Sequence, residues 1–561
     1  MEKCSINCYG KCQGKVYIDD KCILHCPKNN YSKDWNSGLL SDFFKEFINY
    51  TIEQLFEHSE LFDDKYSKDE ITTYLKSGNF KNDEYNKALK KSIFIPSCIH
   101  FPTRDGRDIF DYLKILNLFE QIHFNYCEFY LSSLDLKNVE CFFQDCKFHN
   151  RWTLYDYGVL ENEDNVIYQT CEFNKTVSNY TPDKSTELAI YKHSQFDYTC
   201  QFKKSIEFDR CKFENMLFNT NQHNYLEENT IKLLKFEHST FEKKFQLNNY
   251  DIEEFICEDS IFNSKFEFKE NKLINFRLYN SNFNGISDLY GCIFQKFNIE
   301  KSIFNDFAGF ENCIFGTNNR LKEELATFKY ATFKDSLNVR NSKFLSGLDI
   351  KYINLYGEAN FLDSKIESTD MSTRDTFRRL KYEADKIGNI IEANKHYQKE
   401  MEEREKELKR TLPKSFPEWI VFKIHDISSK HSQDWVSALY WIIVITFLYS
   451  HLKVFWCQEN TEYYIIPFVL NILVLTFILL EVAILKNLNI IYKAFSGLII
   501  YFIYAFITKD MTLECFSNNI NPFSIMTGHD TLNFSTLIYK IIIAYLLYQF
   551  IVSIRQNTRR K

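Results

Sequence analysis

Phenylalanine recurs on a five-residue beat between residues 119 and 366, and this repeat constrains the fold more than any other feature. The repeating unit is a small residue, any residue and Phe, as in Cys146-Lys-Phe148 and Ser281-Asn-Phe283. Residues five apart share no single face of an α-helix, and an odd step along a flat strand alternates between its faces. The chain must therefore turn a corner in every five residues, and about four corners close one coil.

A longer period supports a coil of this size. Phe241, Phe262, Phe283 and Phe304 are each 21 residues apart. Stacked coils of this length bury continuous columns of Phe and of small residues, which is how a β-solenoid is built. The sequence therefore predicts a mainly β protein with a solenoid over residues 119–371, interrupted by insertions at 149–166, 178–190 and 219–232.

This region resembles the pentapeptide-repeat family, whose motif is a small residue, any residue and a central Leu or Phe. The resemblance implies a right-handed quadrilateral β-helix. Phe dominates here where the best-known members use Leu. Some members of that family imitate DNA and bind topoisomerases. The acidic and basic residues of this solenoid are interleaved, which favours an ordinary solvated face and leaves DNA mimicry as the third-ranked function.

Composition excludes several classes of function. A net charge of −7 does not support binding to the phosphate backbone of a nucleic acid, which requires a basic surface. Several of the 17 cysteines occupy the small inward position of the triplet, where a reduced thiol behaves as a small hydrophobic group. We therefore expect a reducing cytosol around the solenoid, and no secretory signal opens the chain. No catalytic triad, phosphate loop or metal-protease motif is present, so we expect no enzyme activity.

Residues 1–35 are rich in cysteine and form a candidate zinc knuckle. Cys4 and Cys8 form one Cys-x-x-x-Cys pair, and Cys22 and Cys26 form a second. Four thiolates suit a tetrahedral structural Zn²⁺. A segment this short cannot build a hydrophobic core, so a bound metal would supply the free energy that folds it. Two further side chains are alternative members of the ligand set, namely Cys12 and His25. A loose cysteine-bearing tail is the competing interpretation.

Two regions flank the solenoid. Within the N-terminal region 36–118, residues 36–93 alternate apolar and charged positions at helical spacing, which predicts two or three surface helices. Residues 94–118 are predicted to form a cap for the open solenoid end. Residues 372–412 carry an apolar stripe that predicts one amphipathic helix running to Pro413. This stretch resembles the segment that joins pentapeptide repeats to channel-like membrane domains in bacterial proteins. It could also pair with a second copy of the chain.

Residues 413–561 contain four apolar stretches, each long enough to cross a bilayer: about 435–452, 463–485, 490–508 and 534–554. A short segment before them, residues 417–427, has the pattern of an interfacial helix. If the N-terminus is cytosolic, the inner flanks carry Lys423, Lys430, Lys486, Lys493, Arg555, Arg559, Arg560 and Lys561, and the outer flanks carry only Lys453 and Lys509. This bias follows the positive-inside rule and places both termini in the cytoplasm of a bacterial inner membrane.

Two charged residues fall within the predicted spans, Glu481 and Lys540. Each can reach an interface by extending its side chain, or both can line a polar path through the membrane. The loop from Asp510 to Asp530 precedes the last span, where channels of the two-helix type hold their pore loop. The potassium-filter run Thr-Val-Gly-Tyr-Gly is absent, so selective potassium conduction is not supported.

Two functions follow from this organisation. The first is a channel-like membrane protein or effector, in which a cytosolic solenoid receives a protein partner or signal and the membrane helices respond. The second is a membrane-tethered scaffold that binds a protein partner without transport. Both predict the lipid bilayer as a partner and allow a homo-oligomer formed through the linker helix and the spans.

Overall fold

The computed structural model of the chain describes residues 4–5, 15–18, 20–28, 37–58, 66–103, 110–136, 138–158, 166–182, 187–219, 230–319, 321–457, 490–508, 511–524 and 533–558. The chain divides into two compact units, residues 1–372 and residues 373–561.

The first unit opens with short elements. An antiparallel hairpin pairs Val16–Ile18 with Lys21–Cys22. Four helices follow: α1 (Ser37–His58), α2 (Lys68–Ser77), α3 (Asp83–Lys90) and α4 (Tyr112–Leu116). Three of these helices lie within residues 36–93, and the fourth lies within residues 94–118.

The rest of the unit is a β-solenoid of about 10 turns, in which every strand pairs in parallel with a strand of a neighbouring coil. The predicted solenoid is therefore confirmed. Sheet I contains Ile93–Phe94, Gln121–Asn125, Glu140–Gln144, Val166–Gln169, Ser194–Asp197 and Phe218–Asn219. Sheet II contains His100–Phe101, Glu128–Phe129, Lys147–Phe148, Glu172–Phe173 and Gln201–Phe202.

Three further sheets complete the coils. Sheet III contains Trp152–Leu154, Val177–Asn179, Ser205–Asp209, Thr230–Glu237, Asp251–Glu258, Lys272–Tyr279, Ile293–Glu300, Ile314–Phe315, Lys343–Phe344 and Lys365–Ile366, with Ala326–Lys329 and Leu348–Asp349 as a branch. Sheet IV contains Ala189–Tyr191, Cys211–Phe213, Thr240–Phe241, Ile261–Phe262, Asn282–Phe283, Ile303–Phe304, Thr332–Phe333 and Asn354–Leu355. Sheet V contains Phe245–Gln246, Phe266–Glu267, Ser287–Asp288, Ala308–Gly309, Leu337–Asn338 and Ala359–Asn360.

The core is built from columns of stacked Phe rings. In sheet IV the rings of Phe241 and Phe262 lie 4.6 Å apart between centroids, with planes 1° apart. The same stacking continues from Phe283 to Phe304, at 4.7 Å and 7°. Each of these side chains is almost completely buried. Burial of one such ring contributes roughly 1.5–3 kcal/mol, so the columns supply much of the stability of the solenoid.

The small residues of the triplets form a second kind of column. The backbone N–H of Ser239 donates to Ser260 Oγ at 3.1 Å, and Ser260 N–H donates to Ser281 Oγ at 3.3 Å. The serine hydroxyls donate in turn to backbone carbonyls, as from Ser260 to Glu258 O at 2.8 Å. The inward cysteine thiols do the same, as from Cys292 to Phe268 O at 2.9 Å. These bonds satisfy polar groups that the coils bury, which is why Ser and Cys are interchangeable at this position.

Most of these small residues follow a residue with left-handed backbone conformation, which forms a corner of the coil. The φ angle is +52° at Asp145, which precedes Cys146, and +48° at Asn280, which precedes Ser281. Further corner residues with positive φ are Tyr126, Thr170, Arg210, His238, Asp259, Lys301, Asn312, Tyr330 and Asn341. This conformation costs a non-glycine residue about 1–2 kcal/mol, which the parallel pairing on both sides of the corner must offset.

The solenoid begins before the first residue of the five-residue repeat. Ile93–Phe94 and His100–Phe101 already pair with the first regular coil. Helix α1 covers this end, since Phe43 packs 6.5 Å from Phe101 and Phe47 packs 6.0 Å from Phe94 between ring centroids. The cap is therefore formed by α1 together with the segment that starts at residue 94.

The second unit contains seven described helices: α5 (Arg374–Lys386), α6 (Ile390–Arg410), α7 (Phe416–Ser429), α8 (Trp435–Cys457), α9 (Ile490–Thr508), α10 (Glu514–Ile520) and α11 (Phe534–Thr558). The predicted single linker helix is divided in two. Gly388, with a φ of +77°, ends α5, and the Asn389 side chain caps α6. Pairing of Arg378 with Glu400 at 3.0 Å shows that α5 and α6 form an antiparallel hairpin.

One described helix, Phe534–Gln556, is long and apolar enough to cross a membrane. Shorter apolar helices cover Trp435–Ser450 and Phe495–Phe506. The predicted span at 463–485 lies outside the described residues. The structure thus supports one candidate span, and four spans remain a prediction.

Candidate functional site

The hairpin near the N-terminus brings three potential metal ligands together. After strand Lys21–Cys22 the chain turns tightly, with the N–H groups of His25 and Cys26 both donating to Cys22 O at 3.0 Å. Cys4 lies beside this turn, because Cys22 N–H donates to Cys4 Sγ at 3.3 Å. The turn and the hairpin therefore place Cys4, Cys22 and His25 in one buried cluster.

The geometry of this cluster fits a metal ion. His25 Nδ1 lies 3.1 Å from Cys22 Sγ and 3.5 Å from Cys4 Sγ. With Zn–S near 2.3 Å and Zn–N near 2.05 Å, a tetrahedral site separates a sulfur from a nitrogen by about 3.6 Å. Two thiolates and one imidazole are a donor set that suits Zn²⁺, and they leave one tetrahedral position for a fourth ligand.

The remaining cysteines of the predicted site are placed differently. Cys26 Sγ lies 3.2 Å from Lys28 Nζ, which also donates to Ile23 O at 2.9 Å. Burial lowers the pKa of Lys28, while the neighbouring Cys26 opposes that shift. Cys8 and Cys12 lie outside the described residues. Among the described residues, the candidate metal cluster therefore contains His25, together with Cys4 and Cys22, and does not contain Cys26.

The cysteine-rich segment docks on the first coils of the solenoid. His100 N–H donates to Leu24 O at 2.8 Å, and the His100 ring lies 3.6 Å from the Glu128 carboxylate. Glu128 also contacts His149 at 2.8 Å and accepts from Tyr130 OH at 3.0 Å. Burial alone would raise the pKa of Glu128, but these partners outweigh it and lower the pKa to about 2. Sequence spacing gave no sign of this cluster.

In the second unit, α10 folds back between longer helices. Its Phe516 ring lies 4.5 Å from Phe447 of α8 between centroids. The Asn519 amide donates to Ser450 Oγ of α8 at 2.7 Å and is buried. The segment that the sequence presents as a loop before the last span therefore contains a short helix, which packs on α8 through Phe516 and Asn519 and leaves Ser517 and Asn518 exposed.

Lys540 binds the carbonyl end of this short helix. Its ammonium donates to Asn519 O at 2.7 Å and to Asn521 O at 2.6 Å, and the side chain is almost fully buried. The neighbouring Tyr539 OH donates to Thr446 Oγ1 of α8 at 3.0 Å. Lys540 thus holds a helix end within the unit, where a positive charge complements the dipole. Glu481 lies outside the described residues.

A polar cluster that the sequence did not indicate joins α7 to α11. Gln549 of α11 is buried against His425 and Ser429 of α7 and against Ser432 in the following turn. His425 in turn contacts His431. The partners are more than 100 positions apart along the chain, so no local spacing could have linked them.

Comparison with known proteins returned no relative on which to base a function. No family model matches the sequence, and no curated protein or solved structure matches the chain.

Proposed function

We propose that this chain is a membrane-bound effector with a channel-like C-terminal unit, controlled by a pentapeptide-type β-solenoid that binds a protein partner. The observation that carries the proposal is the short helix α10, which is folded back between α8 and α11. In a bilayer, irregular backbone and helix ends are tolerated only where protein buries them or where they line a cavity. Re-entrant segments of this kind occur in the conduction paths of channels and transporters.

Exposed apolar faces support a bilayer environment. Phe495, Leu498, Phe502 and Phe506 follow one face of α9, and Phe506 is 81% exposed. Helix α11 likewise exposes Phe534, Ile541, Tyr548 and Ile551. Water around such faces would be costly, whereas lipid would cover them. We extend this to four spans, with residues 463–485 as the second, and to an inner membrane with both termini in the cytoplasm.

Helix α7 fits the interface of that membrane. Phe416, Val421 and Ile424 are exposed on it, and Lys423 pairs with Glu405 of α6 at 3.1 Å. An amphipathic helix of this kind lies in the headgroup layer with its apolar side toward the acyl chains. It would connect the linker hairpin to the first membrane helix.

Ion flux from proteoliposomes tests the proposal. Purified chain should pass ions down an imposed gradient, and Asn519→Ala should change the rate, because it removes the bond that fixes α10 to α8. Asn284→Ala on the solenoid surface is the matched control and should behave as the wild type. Absence of flux from all three proteins would reject the channel-like function.

A tethered scaffold is the second candidate, and one observation favours it. Only one described helix has the length and composition of a membrane span, and one span is sufficient for an anchor. The oligomeric state in detergent separates the two functions. A ring of subunits would support a pore, whereas a monomer would support the scaffold.

We also propose that the N-terminal cluster holds a structural Zn²⁺. Cys4, Cys22 and His25 would be three ligands, and the sequence offers Cys8 as the fourth. The metal would join the two ends of the segment that docks on the solenoid. Because a segment this short has little core of its own, bound metal would supply much of its folding free energy.

A further inference from the structure

The two histidines that join α7 to the following turn form an unusually close pair. His425 Nδ1 and His431 Nδ1 are 3.2 Å apart, and the His431 side chain is fully buried. Two ring nitrogens at this separation share a single hydrogen, so that one donates and the other accepts. The pair therefore requires one imidazole to present an unprotonated Nδ1.

The surrounding hydrogen bonds decide which ring accepts. Gln549 Oε1 can only accept, and it lies 3.0 Å from His425 Nε2, so that nitrogen carries the hydrogen. Neutral His425 then accepts at Nδ1, and His431 donates from its own Nδ1. His431 Nε2 is left as a buried lone pair with no hydrogen-bond partner among the described residues. The hydrogen bonds thus require His425 to be neutral, and His431 is neutral as well because a proton on its buried Nε2 would find no acceptor in the described part of the chain.

The backbone at this point also depends on its surroundings. Lys430, His431 and Ser432 have φ angles of +46°, +55° and +66°, three consecutive left-handed residues without a glycine. Ser432 N–H donates to Ser429 Oγ at 3.0 Å, and Ser432 Oγ donates to Gln549 Oε1 at 2.9 Å. Non-glycine residues persist in this conformation only where neighbouring contacts hold them. Loss of the contacts would let the turn relax.

Every element packed on α7 contributes to the electrostatics of the pair. Helix α6 brings the carboxylates of Glu402 and Glu405, and α7 itself brings Asp426. Helix α11 brings the neutral Gln549 and the Tyr545 phenol, and α8 brings Trp441, whose indole N–H donates to Ile427 O at 3.0 Å. Burial lowers the pKa of both histidines, and for His431 it outweighs the three carboxylates, which act in the opposite direction.

We propose that His425 and His431 form an acid-sensitive latch that holds α7 on α11, and that a proton on His431 Nε2 releases it. The added proton has no buried acceptor, so the imidazolium must move toward water or toward the carboxylates of α6. That movement breaks the bond to His425 and frees the left-handed turn. The latch itself stands without any ion flux. Its consequence, uncoupling of the linker from the last membrane helix in acid, rests on the proposed function.

Hydrogen exchange measured by mass spectrometry on the full chain in detergent tests the latch. Wild-type protein would be labelled at neutral pH and near pH 5.5, below the ordinary pKa of histidine, with labelling times scaled to the chemical exchange rate. We expect peptides from residues 416–434 to exchange several-fold faster in acid. Peptides from the α5–α6 hairpin should change little and report that the unit remains folded.

Substitution of His431 identifies the titrating group. His431→Asn keeps an N–H donor close to the position of Nδ1 but removes the nitrogen that takes up the proton, so α7 should stay protected at both pH values. His193→Asn is the control, since His193 is partly exposed and contacts Asp156 in the solenoid. It should release α7 in acid as the wild type does.

Two results would overturn the latch. One is equal protection of residues 416–434 in the wild type at both pH values, and the other is a His431→Asn protein that opens in acid as the wild type does. If His431→Asn has already lost protection at neutral pH, the wild-type comparison decides alone. Proteoliposomes without flux would reject the proposed channel function and leave these exchange results unaffected.

Discussion

Phe262 and Phe283 stack face to face on neighbouring coils, with ring centroids 4.8 Å apart and planes 4° apart. They are paired directly across two parallel strands of sheet IV. The adjacent Asn284 points outward and joins a different column, in which its amide donates to Asn263 Oδ1 at 2.7 Å. Phe283 and the residue that follows its triplet thus belong to the core and to the surface, respectively.

Replacement of Phe283 by Ala should lower the free energy of unfolding by about 3–5 kcal/mol, because it opens a cavity between two stacked rings. Asn284→Ala removes only exposed amide contacts and should cost less than about 1 kcal/mol. Chemical denaturation of both purified variants measures the difference. Equal losses from the two variants would contradict the inward and outward assignments.

Glu267 gives a prediction for pH. Burial would raise the pKa of its carboxylate, but the ammonium of Lys265 at 2.5 Å and its other partners lower the pKa to about 2. A depressed carboxyl pKa stabilises the fold above its ordinary value of 4.5, and this contribution is lost as pH falls toward 2. Glu267→Gln should therefore destabilise the chain by about 1–3 kcal/mol at neutral pH, and the difference should shrink in acid.

The control for this pH effect is Glu214→Gln, which alters an exposed pair with Lys212. Surface pairs contribute about 0–1 kcal/mol, so its effect should be small at every pH. A Glu267→Gln variant as stable as the wild type at neutral pH would show that the buried carboxylate adds nothing.

Metal analysis of the purified chain should give about one zinc per molecule, as expected for a single structural site. Cys22→Ser should lose the metal. Cys26→Ser should keep it, because the Cys26 thiol contacts Lys28 instead of the cluster. Loss of zinc from Cys26→Ser with retention in a His25→Ala variant would favour the four-cysteine set predicted from spacing.

Natural cysteines can report the membrane topology. With four spans and cytoplasmic termini, Cys457 and Cys515 face outward, so a membrane-impermeant thiol reagent added to intact cells should label one or both. Cys292 should remain unlabelled, since burial raises its pKa to about 12 and keeps the thiol protonated. A cysteine added after Lys561 that is labelled from outside would show an odd number of spans.

The sequence predicted most of the solenoid because its inward residues repeat. The first coil was assigned to the cap instead, since Phe94 and Phe101 are seven apart and Pro96 interrupts the beat between them. The linker break at Gly388 was missed because the apolar stripe continues across it. A glycine followed by a capping Asn is the local signal that could have revealed it.

The candidate site was less predictable, because its geometry depends on contacts between distant residues. Spacing proposed six possible ligands, but only the hairpin and the turn after Cys22 select His25 as the neighbour of Cys4. The position of Lys540 near one end of the predicted last span suggested that its side chain extends to the membrane interface. Its actual partners are carbonyls of a short helix that the sequence presents as a loop.

The coils from Phe241 to Phe304 share one register and one length, so this part of the solenoid can lose or gain a whole coil without any change in pairing. Phe241, Phe262, Phe283 and Phe304 occupy equivalent places, so removing residues 262–282 would join Ile261 to Phe283 and restore the same triplet. Insertion of one residue inside a triplet would disrupt the pairing of that coil, whereas duplication of a whole coil would leave each neighbour unchanged. Extra residues between triplets are tolerated, since Phe304 still pairs with Phe333 across a longer coil. A duplication or deletion of one coil in the gene would therefore give a chain that can still fold as a solenoid.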